Sequence, residues 1–159
     1  MQYRYVTADV FTDRAFGGNQ LAVILDARGL SDEQMLKITR EFGYSESVFV
    51  LPPSSRTHTK RLRIFTPNGE VPFAGHPTVG TAFVLSEAGE IEDAPRAGER
   101  VLITFEEGVG PVSVQAVLRG SHTVYCELTS AQLPQAGPPS PLRERIAHVL
   151  SLAAAAVRS

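Results

Sequence analysis

The sequence has no tryptophan, only two methionines and a single cysteine, Cys126. One cysteine excludes an intrachain disulfide. Charge of either sign is not in excess: 17 acidic residues face 15 basic ones, for a net charge of -2 and a pI near 6.1. That balance gives no reason to expect a nucleic acid or an anionic membrane as partner. Long apolar runs are missing too, and none approaches the roughly 18 residues that a bilayer span requires. The opening Met1-Gln2-Tyr3-Arg4-Tyr5 alternates polar and aromatic residues and does not read as a signal peptide, so a cytoplasmic location is the default expectation. His58, His76, His122 and His148 lack metal-ligand spacing, so no structural or catalytic metal is expected. What the chain does have is 43% hydrophobic residues in a length of 159, enough for one core.

The elements follow from period and punctuation. Tyr3 to Phe11 alternates as a strand, and Leu21 to Leu25 is a short apolar strand. Leu30-Ser31-Asp32-Glu33-Gln34-Met35 is a helix start: Ser31 is the N-cap, Gln34 completes a capping box, and Leu30 can staple to Met35. Met35, Leu36, Thr39 and Phe42 form a core-packing stripe that ends at Gly43. Ser47 to Leu51 and Lys60 to Phe65 are strands around a polar turn. In the second, Leu62 and Ile64 point inward, and Arg61 and Arg63 occupy the outer face. A buried helix runs from about Pro77 to Ala88 and stops at Gly89, followed by a polar loop, Glu90 to Arg100. Three more strands, Val101 to Phe105, Pro111 to Leu118 and Thr123 to Leu128, are joined by turns at Glu107-Gly108 and Arg119-Gly120. Thr129 to Pro141 is an extended linker. A last helix then starts with Ser140 as N-cap and Pro141 at the first position. Its apolar stripe, Leu142, Ile146, Val149, Leu150 and Ala153, needs something to pack against.

The stretch Phe65-Thr66-Pro67-Asn68-Gly69-Glu70-Val71-Pro72-Phe73-Ala74-Gly75-His76-Pro77-Thr78-Val79-Gly80 carries most of the chemistry. It reads as a strand end, a tight turn and a helix beginning at His76 or Pro77. Pro77 suits the first helical position, and Gly75 allows a sharp turn and close approach of a ligand. A helix N-terminus beside a histidine suits a carboxylate or other anion. The plainer reading is an ordinary strand–turn–helix junction with His76 as N-cap. A second segment, Arg40-Glu41-Phe42-Gly43-Tyr44-Ser45-Glu46-Ser47-Val48-Phe49-Val50-Leu51, places Glu46 in the connection between a helix and an apolar strand. Partial desolvation of a carboxylate there suits proton transfer near neutral pH, whereas most loop glutamates are simply solvated.

Together with Phe16-Gly17-Gly18-Asn19-Gln20-Leu21-Ala22-Val23, these segments closely resemble the PhzF family of phenazine biosynthesis, over roughly residues 3 to 128. The resemblance implies an α+β, diaminopimelate epimerase-like fold: a mixed, curled, barrel-like β-sheet around a central buried helix. It implies an isomerase that uses no cofactor and no metal and shifts a proton on a small carboxylate-bearing substrate. The family's enzyme acts so on dihydro-3-hydroxyanthranilate on the way to phenazines. Glu46 matches the family's acid–base carboxylate. Gly75 and His76, followed by Pro77 and Thr78, match the residues that hold the substrate's polar groups, and Gly18 and Asn19 match a turn lining the cleft. The plainer reading of Asn19 is a turn residue bonding its own backbone. Glu70 belongs to the motif but reads as a turn carboxylate. Ala74 stands where the related epimerases have a catalytic cysteine, which argues against two-cysteine racemisation, and Cys126 reads as a small apolar strand residue. Gln20 replaces a common family proline.

Family members are about twice as long. The resemblance therefore divides the chain into an N-terminal domain, 1–128, a linker, 129–141, and the first helix of a second domain, 142–159. Nothing in residues 90–159 resembles the Asp-x-x-Thr-Gly-Ser type motif of the family's second half. One wall of a two-walled site is thus expected here. The chain is then a fragment or one part of a split protein, a truncated product, or a homodimer in which each copy supplies a wall. The expected partners are a small carboxylate and either a second copy or a C-terminal half. The competing reading is a non-catalytic half-domain that binds a small acid or a protein partner.

Overall fold

In the computed structural model, which describes residues 2–91, 100–119, 122–130, 137–139 and 141–157, eight strands form one sheet. They are β1 (Tyr5–Val10), β2 (Asn19–Ile24), β3 (Glu46–Leu51), β4 (Lys60–Thr66), β5 (Gly69–Val71), β6 (Arg100–Glu107), β7 (Gly110–Arg119) and β8 (His122–Thr129). The order is β1-β2-β3-β4-β6-β7-β8. Strand β5 pairs with the end of β4, at Ile64 to Thr66, while β6 pairs with its beginning, at Lys60 and Arg61. The β2–β3 and β4–β6 pairs are parallel and the rest antiparallel. The sheet curls around helix α2 (Gly75–Glu87), which packs against β1, β2, β3, β7 and β8. The architecture is the expected α+β one, a mixed curled sheet around a central helix.

Residues 21–24 of β2 and 48–50 of β3 are continuously apolar because both of their faces are covered, whereas β4 alternates, with Arg61 and Arg63 on either side of Leu62. Val23, Val48, Val50, Leu62 and Ile64 face the α2 side, with Leu85, Ile103 and Phe105. Ile24, Phe49 and Phe65 face the other way, onto Met35 of helix α1 (Asp32–Phe42). The α1 caps are as the sequence predicts. The Gln34 N–H donates to Ser31 Oγ, the Ser31 N–H donates to Gln34 Oε1, and Gly43 closes the helix at φ 68°.

Several details differ from the sequence reading. Helix α2 starts at Gly75, with Ala74 as N-cap and no side-chain cap, so His76 lies inside the first turn. Glu46 is the first residue of β3 rather than part of the connection, and Glu107 ends β6 rather than forming the turn. Strand β5, which holds Glu70, was hidden in a run of turn residues. Arg63 is not a free outer-face cation: it pairs with Glu70 and with Asp32 at the start of α1, and lies over the Phe65 ring. Helix α3 (Arg143–Val149) is capped by Leu142 without a side-chain bond. The expected cap Ser140, residues 131–136 of the linker, residues 92–99 of the polar loop and Gly120 of the Arg119-Gly120 turn lie outside the described residues. The α3 stripe is largely uncovered: Leu142, Val149 and Leu150 are exposed, Ile146 is half-buried and Ala147 is buried.

Gly80 sets how closely α2 meets the sheet. A Cβ there would lie 2.6 Å from both Leu21 Cδ2 and Val10 Cγ2. Gly80→Val should therefore overpack the contact of α2 with β1 and β2 and lower stability by about 1–3 kcal/mol. Chemical denaturation of the variant checks this. An unchanged midpoint would mean that the helix has room to move outward.

Candidate active site

The first turn of α2 emerges beside the start of β3. This placement follows from the parallel register of β2 and β3, which aligns Leu21 with Glu46, and from the packing of α2 inside the curl. His76 Nε2 lies 3.6 Å from Glu46 Oε2, too far for a hydrogen bond. Both side chains are mostly shielded, at 9% and 20% exposure, and neither atom has a hydrogen-bond partner within the protein. A shielded imidazole nitrogen and carboxylate oxygen thus face one another at the end of a helix whose first N–H groups have no side-chain cap. The positive end of the helix dipole points the same way. Such a place can hold an anionic group near a carboxylate able to take or give a proton.

Other predicted residues gather at this end. Ser45 Oγ donates to Asn19 Oδ1 at 3.4 Å, and Asn19 opens β2 two residues before the position facing Glu46. The Asn19 side chain is therefore tied to Ser45 rather than to its own turn. Gly18 precedes it where no side chain fits, since a Cβ would lie 2.3 Å from the Val10 carbonyl oxygen. Gly75 is open, with nothing near its Cβ position. Pro77 and Thr78 are buried. Both Thr78 hydrogen-bonding groups are engaged inside the protein: its N–H donates to the Ala74 carbonyl, and its hydroxyl lies 2.8 Å from that same carbonyl and 2.8 Å from Glu107 Oε1. Glu70 serves Arg63 in a two-point ion pair. Among the described residues, no group of three or more His, Cys, Asp or Glu side chains could hold a metal ion.

Glu107 is the residue that sequence reasoning missed. Its side chain is 7% exposed, and Oε2 has no partner within the protein. Burial pushes its carboxyl up to about 7, against the smaller lowering effect of the Thr78 hydroxyl. The signal was in the strand: Ile103 and Phe105 are buried, and the same alternation carried two residues further turns Glu107 inward. Glu106, on the opposite face, behaves in the opposite way. Bonds from the Ser54 side chain and backbone, with His58 and Arg61 nearby, hold its carboxyl near 2. Cys126 packs half-buried against the core, and burial with the nearby Glu87 charge pushes its thiol up to about 12.

Residues 8–158 match the model of the phenazine biosynthesis-like protein family. The chain belongs to that family. An uncharacterized isomerase of Mesorhizobium japonicum is 48% identical over 137 residues, which are 85% of this chain and 43% of that protein. The trans-2,3-dihydro-3-hydroxyanthranilate isomerase of Pseudomonas aeruginosa is 48% identical over 83 residues, 52% of this chain and 30% of the enzyme. The crystal structure of a Bacillus anthracis phenazine biosynthesis protein of the PhzF family superposes with a TM-score of 0.78 at 31% identity, over 98% of this chain and 49% of that one. The chain thus spans about half, or less, of these PhzF-type proteins. Among the described residues, no helix is long and apolar enough to cross a membrane.

Two outcomes follow from the titrations. The folded chain holds the Glu107 proton up to about pH 7, whereas the unfolded chain releases it near the ordinary 4.5. The folded state therefore binds more protons between these values, and stability falls as pH rises through that window and levels off above it. The difference is on the order of 3 kcal/mol at most. Denaturant unfolding of the native chain and of Glu107→Gln across this range should show the fall in the first and not in the second; parallel curves would remove Glu107 as the cause. Separately, Cys126 should react with a thiol reagent at neutral pH much faster in the unfolded chain than in the folded one, and equal rates would show that the thiol is not shielded.

Proposed function

We propose that this chain carries one wall of the active site of a cofactor-independent PhzF-type isomerase, which moves a proton between carbons of a small, carboxylate-bearing substrate. The observation that carries this reading is the His76–Glu46 pair at the uncapped N-terminus of α2. Glu46 is the acid–base group: a C–H acid beside a conjugated system needs a base close by, and the same carboxyl returns the proton at the second carbon. His76 and the Gly75 N–H hold the substrate's polar groups, helped by the dipole of α2. Asn19, ordered by Ser45, and Gly18 line the edge of the cleft. The P. aeruginosa relative, named for its action on trans-2,3-dihydro-3-hydroxyanthranilate, supports a substrate of that kind.

The opposite wall comes from a C-terminal half or from a second copy. Exposed apolar side chains, Phe11 and Phe16 after β1 and Leu142 and Val149 at α3, support association with a partner. Those exposed side chains are also what favours the second reading, a half-domain that binds a partner without turnover.

Glu46→Gln keeps the shape of the side chain and removes the base. With the assembled protein, turnover of trans-2,3-dihydro-3-hydroxyanthranilate should fall by about 10²–10⁴-fold while the thermal transition stays in place. Full activity in that variant would refute the role. Sedimentation that shows a complex with no turnover in the unaltered protein would favour the binding reading.

A further inference from the structure

The Thr78 hydroxyl has one hydrogen and two acceptors at 2.8 Å, the Ala74 carbonyl oxygen and Glu107 Oε1. One hydrogen cannot serve both. If Glu107 is a carboxylate, Thr78 donates to it and the bond to Ala74 is given up. If Glu107 carries a proton, Oε1 donates to Thr78 Oγ1, and Thr78 donates onward to Ala74, so that both contacts are made. Burial favours the second arrangement, because an unpartnered Oε2 costs less as part of a neutral acid than of a carboxylate. Ala74 is the N-cap of α2, and its carbonyl also accepts the Thr78 N–H. The chain Glu107–Thr78–Ala74 therefore ends on the residue that fixes where the helix, and with it Gly75 and His76, begins.

From this geometry we propose that Glu107 is a positioning residue of the site: as a neutral acid it locks the first turn of α2 through Thr78 and so sets His76 against Glu46. The inference rests on the site reading given above. The hairpin that carries Glu107 is itself fixed against the approach to α2, since a Cβ on Gly108 would lie 2.7 Å from Pro72 Cα. The charges around it leave Glu107 to Thr78 alone. On its own strand, Glu106 is engaged with Ser54 and His58 and has Arg61 of β4 nearby. Across the hairpin on β7 its partner is Gly110. On α2, His76 is set against Glu46. Loss of the Glu107 proton moves the Thr78 hydrogen away from Ala74, and the first turn loses a bond where the substrate's polar groups would sit.

The test is an NMR titration of the unaltered chain and of Glu107→Gln, whose amide donates to Thr78 as the neutral acid does. In the unaltered chain the Glu107 carboxyl carbon should titrate near pH 7, and the Gly75, His76 and Thr78 amides should move with the same midpoint. In Glu107→Gln those amides should stay at their low-pH positions throughout, and in Glu107→Leu they should be displaced at every pH. Three results overturn the proposal: a carboxyl that titrates in the ordinary carboxylate range, α2 amides that hold still while it titrates, or an unchanged amide transition in Glu107→Gln, which would assign the effect to His76. If Glu107→Leu does not fold, the other two proteins decide. Turnover separates this inference from the catalytic reading. An effect of Glu46→Gln, with identical pH–rate profiles for the unaltered protein and Glu107→Gln, overturns the positioning role and keeps Glu46. No effect of Glu46→Gln, with the Glu107-linked transition present, removes Glu46 as the base and keeps the lock on α2.

Discussion

A helix with no polar face has to be enclosed, and the burial of α2 inside the curled sheet is the constraint on which the rest of this structure depends. Pro77, Thr78, Gly80, Thr81, Ala82, Val84 and Leu85 are buried, while Phe83 and Glu87 stay exposed. The sheet must bend until strands far apart in its order, β1 and β8, reach the same helix. Close approach then demands a glycine at position 80. Strands β2 and β3, covered on both faces, are apolar along most of their length, whereas β4 keeps Arg61 exposed.

Enclosure also creates the chemistry. A buried helix still has an end, and the end of α2 appears at the rim next to the start of β3. There the first turn has no side-chain cap, and the two polar atoms brought together, Glu46 Oε2 and His76 Nε2, have no partners within the protein. Ordinary packing would satisfy such groups. Their meeting at one helix terminus is the observation on which the proposed ligand-binding rim rests. The chain belongs to the PhzF family and spans about half the length of its solved Bacillus anthracis relative.

Much of this was legible in the residues. The α1 caps were readable because they are contacts between neighbours three residues apart, and the buried strands and helix because their hydrophobic patterns are local. The Gly75-His76-Pro77 motif and Glu46 stood out through their resemblance to a family. Other features were hidden for physical reasons. Strand β5 is three residues long and exists only by pairing with β4. Arg63 looked like a surface cation until Asp32 and Glu70, from other elements, closed on it. The plainer reading of His76 as a cap stayed open because position in a sequence does not reveal whether a side chain turns back to its own helix or outward to a neighbour.

By itself the sequence determined the helix that must be buried and the caps of α1, and its resemblance to a family pointed to the α+β class and to Glu46. The buried helix and the caps depend on period, capping and turn chemistry, which act over a few residues. Only the tertiary structure decided that Glu46 and His76 meet, that Thr78 turns away from the cleft to Ala74 and Glu107, and that Glu107 is sealed from water. The Glu46–His76 and Thr78–Glu107 contacts join residues some thirty positions apart, through the curl of the sheet, and desolvation belongs to the enclosure rather than to the residue.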